Sequence, residues 1–270
     1  MEKQNKLSKN RSICELLAPA GSKEAFIAAI ESGADAVYAG GNLFNARINA
    51  QNFELAELEE AVCFAHKRNV KVYITINILL KDEELQEALE YAKRLYEMGV
   101  DAIIVQDIGF ANLVRNYLPG FELHLSTQAS VFDKDGVIQA MELGFSRVVP
   151  ARELSIDEIE TLCRETPCEI EVFCHGAICV CYSGQCQMSR YIGGRSGNRG
   201  ACAQPCRLQY KSLDEYGEIK ETSILSPSDM SMIDHLDKLC EAGVHSLKIE
   251  GRMKSPEYVA VVTSIYRKYL

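Results

Sequence analysis

GADAVYAGG (33–41), GVDAIIVQD (99–107), GFSRVVPAR (144–152) and GVHSLKIEG (243–251) are four variations on one theme. In each, a glycine leads within a few residues into a short run of apolar, often β-branched side chains. Glycine tolerates the left-handed conformation that ends a helix, so each stretch reads as a helix C-cap followed by a buried strand. Working outward, strands are expected over 14–18, 36–40, 70–77, 102–106, 122–127, 146–151, 169–174 and 246–250. Most are apolar runs rather than strict alternations, the pattern of parallel strands covered on both faces. Helical patterns fill 22–32, 54–68, 82–98, 108–117, 131–143, 155–165, 228–242 and 256–269, with Ser22 and Ser155 as N-caps ahead of Glu24 and Glu158. Strand then helix, repeated eight times, predicts an α/β fold: one closed, TIM-like (β/α)8 barrel over 13–270 behind a disordered lead at 1–12. A doubly wound open sheet is the alternative, and the lack of GxGxxG after the first strand counts against its dinucleotide-binding version.

The chain has 270 residues, 47% of them hydrophobic, and a formal charge of -9. No run of 18 apolar residues exists, and the basic start MEKQNKLSKNRS has no apolar stretch behind it. A cytoplasmic location follows as the expectation, and with it thiols rather than disulfides. The acidic balance argues against general nucleic-acid affinity, although net charge conceals local patches.

One connection breaks the rhythm. About fifty residues, 175–227, separate strand 7 from the next helix, and unstructured connections of that length are usually functional. The segment includes a hairpin pattern, RLQYKSL–DEYG–EIKETSIL, and should rise from the C-terminal face, where barrel enzymes place their active sites. It also gathers cysteines: CHGAICVCYSGQC (174–186) holds four of the chain's eleven, and Cys202 and Cys206 follow. The remaining five, Cys14, Cys63, Cys163, Cys168 and Cys240, are scattered and read as space-filling. Clustered thiols in Gly- and Ser-rich sequence point to a metal centre that would help hold the loop. Iron–sulfur, zinc and no metal all stay open on spacing alone, since the tight CxxC pairs of structural zinc are absent. The favoured ligands are Cys179, Cys186, Cys202 and Cys206, with Cys174 or Cys181 as substitutes. A nucleophilic cysteine with His175 or His245 as base is also conceivable, but no catalytic-cysteine signature accompanies it.

Between Glu171 and Asp214 there is no acidic residue, whereas Arg190, Arg195, Arg199, Arg207 and Lys211 stand among Tyr182, Tyr191 and Tyr210. Guanidinium groups bind phosphate or carboxylate and aromatic rings stack on unpaired bases, so the stretch reads as an anion-facing lip. The plainer account is a solvated loop whose arginines offset thiolate charge. On the same face the strands end in polar residues: Asn77, Asp107, Gln128, Arg152, His175, Glu250 and Arg252. Arg152 and Arg252 suit a carboxylate clamp, while Glu250, Asp107 and His175 suit proton transfer. The pairs Gly40–Gly41 and Gly193–Gly194 are weaker pointers to phosphate.

ELLAPAG (15–21), GADAVYAGG (33–41), EVFCHGAICVCYSGQCQMS (171–189), RGACAQPCR (199–207) and LKIEGRMKSPEYVA (247–260) closely resemble peptidase family U32, over about residues 13 to 270. The resemblance implies one of two activities: collagenase-like proteolysis, or oxygen-independent hydroxylation of a pyrimidine in tRNA or 23S rRNA. A third role it implies is that of a cluster-bearing partner in ubiquinone hydroxylation. It further implies a 4Fe–4S cluster on Cys179, Cys186, Cys202 and Cys206, with zinc as the alternative, and prephenate as the hydroxyl source. Some members take a ligand from just beyond the hairpin; here that region reads ILSPSDMSMIDHL, with Met230 and no cysteine, which favours Cys206. Members commonly continue past the eighth helix, so a further C-terminal region is expected. No HExxH or GxSxG supports the peptidase label.

Overall fold

The computed structural model describes residues 14–47, 50–213, 217 and 219–270. The expected lead at 1–12 and most of the hairpin turn lie outside these residues.

Eight parallel strands close into a barrel: β1 (Glu15–Ala20), β2 (Ala36–Ala39), β3 (Lys71–Ile76), β4 (Ala102–Val105), β5 (Glu122–Leu125), β6 (Arg147–Val148), β7 (Glu169–Gly176) and β11 (Ser246–Ile249). The last of these pairs with both β7 and β1, which completes the circle and excludes the open sheet. Outside lie α1 (Lys23–Glu31), α2 (Leu55–His66), α3 (Leu85–Glu97), α4 (Ile108–Tyr117), α5 (Lys134–Glu142), α6 (Ile156–Glu165), α8 (Leu236–Glu241) and α9 (Pro256–Tyr269). The glycines that open the four quoted stretches, Gly33, Gly99, Gly144 and Gly243, have φ of +92°, +82°, +95° and +90°. They are the left-handed helix stops that the repeat requires. Ser22 accepts from Ala25 N, and Ser155 forms a capping box with Glu158.

Two elements depart from expectation. β6 holds only two ladder residues because Pro150 has no N–H to continue it. The helix expected over 228–242 starts later: Met230 and Ser231 form β10 (Met230–Ser231), antiparallel to Gly176 and His175 of β7, and α8 begins at Leu236. Pairing with a distant strand overrides local helical pattern here. The insertion itself carries α7 (Met188–Gly193) and the hairpin β8 (Tyr210–Leu213) and β9 (Ile219–Thr222).

Most apolar burial lies between sheet and helices. Inside the barrel a small cluster of Leu17, Ala36, Tyr38, Tyr73, Ala102 and Ile104 shares space with charge. Arg147 contacts Glu15 at 2.6 Å, Glu169 at 2.7 Å and Glu171 at 3.1 Å, and Lys248 contacts Glu171 at 2.8 Å. Glu171 is fully buried; burial alone would raise its carboxyl, yet Lys248, Arg147 and His124 bring it down to about 2. Among the described residues no helix is long and apolar enough to cross a membrane.

Candidate active site at the barrel mouth

The inward positions of a parallel strand recur every second residue, so Ser246, Lys248 and Glu250 form one line up the inside of the barrel, and Glu171 and Phe173 another. At the C-terminal ends these lines meet loops from the opposite side and enclose a pocket. Its polar walls are Arg47, Asn77, Gln128, Arg152, Glu250 and Arg252, and Lys248 closes it from below.

Four cations face one carboxylate. Arg47 reaches Glu250 at 3.3 Å. Arg252, 3% exposed, donates to Thr75 Oγ1 and, at 2.6 Å, to Asn45 Oδ1; its Nε has no partner among the described residues. Burial and repulsion from Arg47 push its guanidinium down to about 10. Arg152 sits over the Phe173 ring at 5.5 Å and points Nε at Ser183 Oγ, 3.3 Å away. Burial would raise the Glu250 carboxyl, but Arg47, Arg152, Arg252 and Lys248 hold it below the usual range. A buried Oε1 of Gln128 has no partner among the described residues either. Cation excess and unsatisfied polar atoms together define an anion-binding site.

Gly40 belongs to this wall for a steric reason, since a Cβ there would lie 2.9 Å from Arg252 Nη1. Asn77 has a positioning role: its Oδ1 accepts from Ala46 N and so holds the loop that carries Arg47.

Asp107 and His175 lie elsewhere. Asp107 caps α4 through Phe110 N at 2.9 Å and accepts from Leu80 N at 3.1 Å. His175 is turned out of the barrel by a bulge. The register between β7 and β11 shifts after Lys248, so His175 aligns with outward-facing Ile249 and its ring packs against Tyr266 and Tyr258. Its Nδ1 lies 3.3 Å from the Tyr266 hydroxyl, and burial lowers its pKa. Neither residue lines the pocket, so strand-end position alone misplaced both.

The insertion spans the mouth. On one side Ser183 N donates to Glu153 at 3.0 Å, Ser130 Oγ donates to the Ser183 carbonyl, and Gly184 packs so closely on Gln128 that a Cβ would fall 2.0 Å from its carbonyl oxygen. On the other, Leu79 N donates to Asn198 O at 3.1 Å and Arg199 pairs with Glu84 at 2.6 Å. Arg207 ties the two ends of the loop together, donating to Ile178 O, Pro227 O and Ser226 Oγ within 2.7 Å. These two arginines are structural ties; Arg190 and Arg195 stay at the surface, each bonded to a loop carbonyl. The loop's cysteines are mutual neighbours. Burial raises Cys181, and Cys186 and Cys179 raise it further; burial likewise raises Cys206, with Cys179 and Cys202 adding to it. Cys202 in turn acts on Arg47, linking the thiols to the pocket. Cys174 stands apart, fully buried on the outer face of β7 with Sγ 3.5 Å from Lys248 O. Soft donors without interleaved acids fit a thiolate-held centre. Among the described residues, no three His, Cys, Asp or Glu side chains converge as a formed ion site.

Sequence reasoning missed Arg47, Tyr38, Thr75 and Lys248. The last was findable, because Lys248 and Glu250 share the inward face by alternation. Arg47 lies in a loop without periodicity and carries no such signal.

Fold and site thus define a barrel protein with an anion pocket beneath a thiol-bearing loop. The model of peptidase family U32 matches residues 21–270, and the chain belongs to that family. Over 258 residues, 95% of this chain and 39% of the relative, it is 44% identical to the Escherichia coli protein named 23S rRNA 5-hydroxycytidine C2501 synthase. Over 264 residues, 95% of this chain and 63% of the relative, it is 42% identical to the Bacillus subtilis tRNA hydroxylation protein P1. Over 270 residues, 94% and 64% respectively, it is 36% identical to a Porphyromonas gingivalis protein named Collagenase. The chain therefore spans 39% to 64% of these relatives' lengths. The structure of the U32 peptidase Mk0906 superposes with a TM-score of 0.58 at 13% identity, covering 93% of this chain and 98% of that one, which supports the barrel fold.

Proposed function

We propose that this chain is the barrel of an iron–sulfur-dependent enzyme that hydroxylates a pyrimidine in rRNA or tRNA, with prephenate as the hydroxyl source. The observation that carries it is the cationic pocket at the barrel mouth, whose Arg47 lies near enough to Cys202 of the thiol-bearing loop to be influenced by it. Two relatives named for tRNA and rRNA hydroxylation support the substrate class.

Cys179, Cys186, Cys202 and Cys206 would hold the cluster, with Cys181 as their neighbour; a cluster bound there supplies one-electron chemistry beside the pocket. The chain's own residues do the rest. Arg152 and Arg252 hold carboxylate groups, with Lys248 and its Glu171 partner forming the base of the pocket. Glu250, kept ionised by the cations around it, accepts a proton from whatever lies against it. Tyr191, 86% exposed, and Tyr182 offer stacking surfaces for unpaired bases next to Arg190 and Arg195.

Collagenase-like proteolysis remains the second reading, supported by the Porphyromonas relative's name. The pocket supplies it with no thiol–imidazole pair among the described residues, since His175 faces outward.

The test is anaerobic purification of the full-length protein, with iron and sulfide quantified and nucleosides from a deletion strain's RNA analysed by mass spectrometry. Brown protein with about four irons and four sulfides per chain, and loss of one hydroxypyrimidine, are expected. Colourless protein with stoichiometric zinc from iron-replete cells overturns the cluster. An unchanged nucleoside profile overturns the RNA assignment.

A further inference from the structure

At the opposite end of the barrel, by the N-terminal ends of the strands, two cysteines meet that a sequence reading treats as space-filling. Cys14 immediately precedes β1, and Cys240 lies in the last turn of α8, 226 residues away. Their sulfurs are 3.2 Å apart. Cys14 Sγ also lies 2.9 Å from the Val244 carbonyl, which gives its S–H a separate acceptor. Both residues are fixed by the same small frame. Glu15 N donates to His245 O at 2.9 Å, and Val244 N donates to Leu239 O at 3.2 Å. Closing the pair brings the sulfurs from 3.2 Å to a bond of about 2.05 Å. Cys14 is 3% exposed while Cys240 is half-buried, so reagents reach Cys240 first.

We infer that Cys14 and Cys240 form a reversible oxidation site, taking a low-molecular-weight disulfide of the glutathione class as oxidant. The Cys240 thiolate attacks one sulfur of that disulfide and expels the first small thiolate, leaving a mixed disulfide. Cys14 then gives up its proton and attacks the Cys240 sulfur, expelling the second. One S–S bond is consumed and one formed; the two electrons and two protons of the protein thiols leave on two molecules of small thiol. The product ties the residue before the first strand to α8, the helix that leads into the last strand. A cross-link between residues so far apart in sequence restrains the unfolded chain strongly.

The experiment uses the whole reduced chain, treated with oxidised glutathione, alkylated and digested with trypsin. Cleavage isolates the two cysteines on separate peptides, 12–23 and 239–248, each with a single cysteine. A disulfide-linked pair of these peptides is expected, absent in Cys240→Ser and retained in Cys163→Ser, a further thiol near Cys14. Thermal unfolding of the wild type should move to higher temperature on oxidation and return on reduction, with no shift in Cys240→Ser. The inference fails if peptide 239–248 carries only glutathione, or if it is linked to the Cys163 peptide. It also fails if the linked pair forms without any thermal shift. Loop cysteines that react in parallel map to other peptides and leave the result unaffected.

Discussion

The floor and the mouth of this barrel are built from the same residue types, and they do different things with them. On the floor, Arg147 and Lys248 meet Glu15, Glu169 and Glu171, so every cation touches at least one carboxylate. At the mouth, Arg47, Arg152 and Arg252 share only Glu250, and Arg252 turns to neutral oxygens instead. Neutralised charge is structural, because no site is left for a ligand. Cation excess in a concave, half-enclosed site is an invitation to an anion. The arginine ties of the insertion follow the floor's logic: Arg199 and Arg207 are spent on Glu84 and on carbonyls.

Breaking the floor should give the largest effect. Glu171→Gln leaves Arg147 and Lys248 under-compensated in a buried setting, and a loss of about 3–5 kcal/mol in urea unfolding is expected. A change under about 1 kcal/mol would mean the network is dispensable. Acid titration probes the same carboxyl without mutation. Its folded pKa lies near 2, below the ordinary 4.5. Its contribution is thus fully present above pH 4.5 and disappears as pH falls toward 2, on the order of 3 kcal/mol in all. Unfolding free energy measured across that window should fall for the wild type and fall less for Glu171→Gln. At the mouth the expectation reverses: Arg152→Met should leave the unfolding midpoint nearly unchanged yet weaken binding of prephenate, the proposed hydroxyl source, by about 10–100-fold, the worth of one charge-assisted hydrogen bond. Calorimetry showing equal affinity would remove Arg152 from the anion site.

Much of this was legible in the chain itself. Glycine at the end of four helices, and short apolar runs elsewhere, are local signals, and together they placed all eight barrel strands. The crowding of cysteines into one connection marked the loop over the mouth. Arg152, Gln128, Glu250 and Arg252 were found at strand ends and do line the pocket. Asp107 and His175 were found by the same rule and do not, one because a helix needed a cap, the other because one bulge reversed its face.

What the amino-acid sequence determined by itself is therefore the repeat, the barrel and the thiol-rich loop, since each is written in conformational preferences that span only a few residues. The tertiary structure alone decided which carboxylates are neutralised. It alone brought Arg47 and Glu250 together across 203 residues, and Cys14 to Cys240 across 226. The physical reason is that facing and pairing depend on strand register and bulges, and these are set by contacts between segments with no local signal of each other.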